Sequence, residues 1–371
     1  MNYTNDDRVV MTLDAGGTNL VFAAIQANEQ VVDDIKIPSV PNNLDKMLDA
    51  LVDGFNQVRS KIKEKPVAIS FAFPGPADYP NGIIGDLPNL PAFRGGVALG
   101  PFLEYKFQLP VFINNDGDLY AFGEAISGFL PEINKKLKEA GSPKRFKNLL
   151  GLTLGTGFGA GVVRNGELFG GDNSGAAEIW LVRDKLSPHL NIENHASIRA
   201  VKRIYSELAN IDPKLTPEPE DIYKIAKGEL KGSREAAVSA FREMAIAAGD
   251  AISNVITIID GLIVIGGGLS GASDLFLPYL VDEMNSNFKN VDGSEFRRLV
   301  QKVYNLEREE DLIKFLAGST KTITVPGSNK TFMYDPDPRI GVAISKIGTS
   351  KAISLGAYSY ALNHIDTNKD Q

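Results

Sequence analysis

The chain has 371 residues, 43% hydrophobic and 23% charged, which suits a globular protein with a full core and about two domains. Its 46 acidic and 39 basic residues leave a formal charge of −7, which argues against non-specific nucleic-acid binding; the lack of cysteine excludes disulfides and thiolate metal sites. No apolar run approaches the ~20 residues needed to span a bilayer and no secretory pattern opens the chain, so no membrane partner and a cytoplasmic location are expected.

Arg8–Leu13 and Leu20–Ile25 are short apolar or β-branched runs around Asp14-Ala15-Gly16-Gly17-Thr18-Asn19, the pattern of two strands and a tight turn. A third strand follows around Val31–Ile37. Leu44, Met47, Leu48, Leu51, Val52, Phe55 and Val58 recur at helical spacing, predicting an amphipathic helix to about Lys63. Val67–Phe73 reads as a buried strand, Phe102–Phe107 as a short helix, and Pro110–Ile113 as a strand ending in Asn114-Asn115-Asp116. Leu119–Phe129 reads as a helix crossing into a second lobe. Leu149–Leu154 and Val162–Leu168 flank Gly155-Thr156-Gly157-Phe158-Gly159-Ala160-Gly161, a second strand, glycine turn and strand. From Asn194 the pattern is mainly helical, through Ile198, Val201, Ile204 and Leu208, then Ile222–Leu230 and Ala236–Ile259. Gly261–Ile265 is a buried strand leaving through Gly266-Gly267-Gly268. Residues 300–340 read as a charged helix and a β-hairpin insertion, and Ser354–Asn363 as a closing amphipathic helix.

The glycine turns carry the first chemical signal. Such turns point backbone N–H groups into a concavity able to hold an anion. Asp14 would repel a bare phosphate but suits one carrying Mg²⁺, and Thr18 and Asn19 can donate to phosphate oxygens. Asp116 follows a buried strand, where α/β sheets bind ligands, and a carboxylate there can take a hydroxyl proton during phosphoryl transfer. Asp118 competes for that role, and turn capping is the plainer reading of Asn115 and Asp116. None of the glycine runs has the dinucleotide-binding spacing or the G-x-x-x-x-G-K-[ST] loop.

With both turns and Asn115-Asp116 between them, the chain resembles the ROK family of sugar kinases. The resemblance implies an α/β, two-lobed actin-like (ribonuclease H-like) sugar kinase fold with a cleft between lobes. Residues 1–117 plus 355–371 would form the N-terminal lobe and 118–354 the larger one. It implies ATP-dependent phosphorylation of a hexose, a glucose-like sugar or N-acetylhexosamine, at C6 with Asp116 as base. Asn89, Asn115, Glu178 and Glu193 would hold the sugar, although Glu193 taken alone reads as a charge opening a helix. Gly16, Gly17 and Thr18, with Asn19, and Gly155, Thr156 and Gly157 would hold the phosphates. Asp14 would position Mg²⁺ through water, and Gly266, Gly267 and Gly268 would approach the adenosine. Relatives commonly continue after the Glu-Ile pair with Gly-His and a zinc-binding cysteine cluster. Trp180 and Leu181 stand there instead, so no zinc is expected; His189 and His195 read as surface or helix residues, and Trp180 as core packing or, second to that, a ring stacked near the sugar. The same family includes sugar-responsive repressors, but about a dozen residues before Asp14 cannot fold a DNA-binding domain. A catalytically inactive sugar-binding protein is the other alternative, and a homodimer stays open.

Overall fold

In the computed structural model, which describes residues 3–15, 18–86 and 90–369, the first two apolar runs pair as antiparallel strands. They are β1 (Val10–Ala15) and β2 (Asn19–Gln26), and β3 (Glu29–Pro38) pairs with the far side of β2. Asn43 caps α1 (Leu44–Lys61) by accepting from Lys46 N at 3.0 Å. The helical spacing then sends Met47, Leu51, Phe55 and Val58 into one core with Phe22, Phe71 and Phe107. β4 (Ala68–Ala72), buried at every position, runs parallel to β1, as an uninterrupted apolar run allows. A small antiparallel sheet of β5 (Ala77–Asp78), β6 (Ile83–Ile84) and β7 (Val97–Ala98) precedes α2 (Leu99–Phe107). β8 (Val111–Asn114) lies parallel to β4 and leads directly into α3 (Asp116–Ile126). The sheet order is β3-β2-β1-β4-β8.

After α4 (Phe129–Glu139), β9 (Leu149–Leu154) and β10 (Phe158–Arg164) flank the second glycine turn, and β11 (Glu167–Leu168) returns along β10. Three helices follow: α5 (Ile198–Ala209), α6 (Pro219–Lys227) and α7 (Arg234–Ile259). Then come β12 (Leu262–Gly266), α8 (Ser273–Met284) and a hairpin of β13 (Asn287–Lys289) and β14 (Glu295–Arg297). β15 (Lys302–Asn305), α9 (Glu309–Ala317), the hairpin of β16 (Lys321–Thr324) and β17 (Thr331–Tyr334), β18 (Arg339–Ile344) and α10 (Thr349–Lys369) complete the chain. The second sheet runs β11-β10-β9-β12-β18-β15, with β9, β12, β18 and β15 parallel. In both sheets the third, second, first and fourth strands lie in that order, and a parallel fifth neighbour follows, β8 in one and β18 in the other. One topology is thus built twice.

The helix and hairpin expected within 300–340 are α9 and β16–β17. Their flanks are more than an insertion, because β15 and β18 join the second sheet and β18 is fully buried along Arg339–Ala343. α3 begins three residues before the expected Leu119, so Asp116 is its first residue.

The chain divides into two compact units, one of residues 1–128, 161–176 and 347–371, the other of 129–160 and 177–346. In the first, α10 sets Leu355, Tyr358, Ala361 and Leu362 against Val10, Ile25 and Ala68. It also lies directly on α3. A Cβ on Gly123 would overlap the Ala352 carbonyl oxygen, and one on Gly356 would overlap that of Leu119. Glycine at both positions lets the two backbones touch.

Candidate active site

Strand register brings one group of candidate residues together within the first unit. Asp14 of β1 pairs with Ala72 of β4, and Ala72 with Asn114 of β8. These three residues form a row at the carboxyl ends of parallel strands ~4.8 Å apart, where α/β sheets take ligands. Asn115 follows as the N-cap of α3, its Oδ1 accepting from Gly117 N at 2.8 Å; Asp116 Oδ1 accepts from the same N–H at 2.9 Å. The capping reading of this pair therefore holds, and it aims both side chains from the helix start. Asp116 is exposed, whereas Asp118 is buried, 7% exposed. The Asp14 carboxyl is pushed above the usual carboxylate range by burial first, then by the negative charges of Asp116 and Asp34, although the residue is exposed by surface area. Asp14 and Asp116 are thus close enough to feel each other. Thr18 and Asn19 are exposed at the far side of the first turn, with Thr18 O accepting from Ser39 N at 3.0 Å. Gly16, Gly17 and Asn89 lie outside the described residues.

The second unit gathers another group. At the turn between β9 and β10, Gly155 N donates to Gly157 O at 3.0 Å and Thr156 is exposed at the tip. Gly267, at the exit of β12, has φ +92°, and a Cβ there would overlap the Leu154 carbonyl. Only glycine satisfies both conditions. Leu269 N donates to Leu154 O at 3.0 Å, so the Gly266–Gly268 exit is fastened to the residue preceding Gly155. Glu193 joins them, its Oε2 accepting from Phe158 N at 3.1 Å and its Oε1 pairing with Arg199 Nη2 at 2.6 Å.

Three sequence readings change here. Glu193 does not open a helix: it sits in a 3₁₀ turn, Ile192–Asn194, and α5 starts at Ile198, capped by Ser197. Trp180 is not core packing: it is 36% exposed, and its indole N–H donates to Glu178, itself exposed. His195 is not a surface residue: it is buried and its Nδ1 meets Oδ2 of the fully buried Asp184. His189 is exposed, as expected. The Asp184–His195 pair joins residues 11 apart, which no local spacing rule signals. Among the described residues, no three His, Cys, Asp or Glu side chains converge as a metal site, and no helix is long and apolar enough to cross a membrane.

The sequence pattern of the ROK family matches residues 10–302. The chain belongs to the ROK family. It is 54% identical to a glucokinase from Parabacteroides distasonis of solved structure, covering 98% of this chain and 100% of that one with a TM-score of 0.92. A glucokinase from Halalkalibacterium halodurans is 28% identical over 321 residues, 78% of this chain and 90% of its own length. An N-acetyl-D-glucosamine kinase from Photobacterium profundum is 27% identical over 282 residues, 71% of this chain and 85% of its own length. ROK membership accounts for the strand order built twice, since the family's fold is the two-lobed, actin-like α/β architecture.

Proposed function

We propose that this ROK protein is an ATP-dependent hexose kinase, phosphorylating a glucose-like sugar or an N-acetylhexosamine at its C6 hydroxyl with Asp116 as the general base. Kinship with the 54% identical glucokinase supports the enzyme class. One observation carries the choice of base. Asp116 is the exposed carboxylate at the start of α3, beside Asp14, while the competing Asp118 is buried. A base must reach the proton it removes, and accessibility separates the two.

In the reaction the C6 hydroxyl oxygen attacks the γ-phosphorus, its proton passes to the Asp116 carboxylate, and ADP leaves with the electrons of the broken P–O bond. Asn115, Glu178 and Glu193, with Asn89, orient the sugar hydroxyls. The Gly155–Gly157 turn, with Gly16, Gly17, Thr18 and Asn19, holds the phosphates. Gly266–Gly268 receives the adenosine, a role supported by its place at the carboxyl end of the parallel strand β12. The donor set fits Mg²⁺: Asp14 is a hard oxygen ligand among negative neighbours, suited to hold the ion through water. When bound, the ion neutralises phosphate charge. Leu181, 58% exposed, offers the sugar an apolar contact only. Such a contact discriminates by ~1–3 kcal/mol, so glucose, mannose and 2-amino sugars are all acceptable acceptors.

The test is coupled-assay turnover of MgATP with a panel of hexoses and N-acetylhexosamines. Sugar-dependent ADP release with a 6-phosphate product is expected. ATP turnover indifferent to every sugar would remove the reading.

A further inference from the structure

The buried Asp184–His195 pair has no part in the reaction above, yet it stands at the neck of a closed loop. Ile192 N donates to Val182 O at 2.8 Å and Asp184 N to Leu190 O at 3.1 Å, so the chain from Val182 to Ile192 folds back on itself. One Asp184 oxygen accepts from Leu186 N at 2.9 Å and the other meets His195 Nδ1. On the far side of the ring, His195 Nε2 lies 3.5 Å from Arg203 Nη2, which also donates to Asn194 O at 3.0 Å. With Arg203 donating to Nε2, the proton belongs on Nδ1, pointing at Asp184. A carboxylate with no solvent exposure is costly unless paired and hydrogen-bonded, and here it is both.

The short segment that follows grips the second glycine turn at both ends. Glu193, two residues before His195, receives Phe158 N at 3.1 Å. Ile198, three residues after it, donates its N–H to Gly155 O at 2.8 Å. Ser197 Oγ ties the two together by donating to Glu193 O at 2.8 Å. The fit is close: a Cβ on Gly157 would lie 2.6 Å from Glu193 Oε2. Gly155 to Phe158 is therefore held between Ile198 and Glu193, and the segment that holds it is anchored by His195.

We propose that Asp184 and His195 are positioning residues for donor binding, fixing residues 193–198 so that the Gly155–Phe158 turn keeps the shape that receives the phosphates of ATP. This rests on the donor role proposed for that turn. Losing the pair loosens the turn and weakens MgATP; of the proposed sugar ligands only Glu193 lies in the anchored segment, while Asn115 and Glu178 stay as they are.

The experiment compares wild type, His195→Ala and His195→Asn by calorimetric binding of MgADP, by KM for MgATP and for sugar, and by melting temperature. Asparagine keeps an N–H donor close to the position of Nδ1, so it preserves the bond to Asp184. His195→Ala is expected to weaken MgADP and to raise the MgATP KM at least tenfold, with the sugar KM, which feels the change through Glu193 alone, rising by a clearly smaller factor. His195→Asn is expected to recover most of the loss. If His195→Ala folds and binds MgADP within twofold of wild type, the pair is structural only and the proposal is overturned, while the kinase reading stands. Equal impairment of both variants, or equal loss for sugar and donor, overturns it as well. A wild type that binds no MgADP overturns the donor role of the turn and this proposal with it.

Discussion

Single substitutions separate the parts of two carboxylates in the first unit, Asp116 and Asp14. Asp116 is exposed, so Asp116→Asn keeps the cap to Gly117 N and should leave the melting temperature unchanged. It removes the proton acceptor, and sugar phosphorylation should fall ~10²–10⁴-fold at saturating substrates. Retention of more than about half the turnover would shift the role to Asp118 in spite of its burial. Asp14 differs because burial and its acidic neighbours raise its pKa above the usual ~3.9 of an aspartate. A carboxyl with a raised folded-state pKa binds its proton more tightly in the folded protein. Its ionised form thus costs stability, a cost absent below the unfolded pKa and complete once pH exceeds the folded one. Asp14→Asn should therefore melt no lower than wild type at pH 7, with any gain vanishing below about pH 4. Its activity should need far more Mg²⁺. A clear drop in melting temperature at pH 7 would refute this account of Asp14. Residue types and strand ends made these carboxylates legible in the sequence. The Asp184–His195 pair was not legible, because its meaning depends on burial and on a loop closing over 11 residues.

At the level of elements, the apolar runs beside glycine-rich stretches announced β1, β2, β9 and β10, because a buried strand demands a continuous apolar run. β18 was hidden for a physical reason. Its run Arg339-Ile340-Gly341-Val342-Ala343-Ile344 directly follows Asp335-Pro336-Asp337-Pro338 and starts with a charged residue. That residue, Arg339, is buried by an ion pair with Asp335 at 2.6 Å and by a bond from Nε to Phe315 O at 2.6 Å. Only the fold supplies those partners. The start of α5 was misread because Asn191, Asn194 and Ser197 are all competent caps, and the choice of Ser197 rests on its bond from Ala200 N. The contact of α3 with α10 gives a prediction at this scale. Alanine normally helps a helix by ~1 kcal/mol over glycine. Gly123→Ala should instead destabilise by about 1–3 kcal/mol or more, because its methyl would overlap the Ala352 carbonyl and force the helices apart. Displacing α3 also displaces Asp116 at its first turn, so activity should fall in the protein that still folds. Melting curves and specific activity of Gly123→Ala beside a control glycine with ordinary φ and open space around its Cα, Gly170→Ala, would show it; an unshifted Gly123→Ala would disprove the close contact.

Across the whole chain, the two units are interleaved in sequence: residues 129–160 and 177–346 interrupt the first unit, which is finished only by 347–371. A unit completed by the last segment of its chain should depend on it. Leu355, Tyr358 and Leu362 are almost wholly buried against strands β1, β2 and β4. At ~1.5–3 kcal/mol for each large side chain, their burial amounts to roughly 5–9 kcal/mol, comparable to the full stability of an ordinary domain. Polar ties add to it. Tyr358 OH accepts from Ala27 N at 3.1 Å, burial pushes its phenol up to about 12, and Arg8 Nη1 reaches Asp366 Oδ1 at 2.6 Å. A chain ending at Gly348 should therefore fail to fold its first unit, even though every candidate catalytic residue is still present in its sequence. The second unit, whose segments all precede that point, should keep its own core. Limited proteolysis with mass spectrometry would separate the two: peptides from 1–128 should be released quickly and those from 177–346 should stay protected. Leu355→Ala with Leu362→Ala in the full-length chain is the milder version and should lower the first unit's melting transition before the second's. Protection of both units in the truncated chain would mean that α10 is not needed to complete the first core.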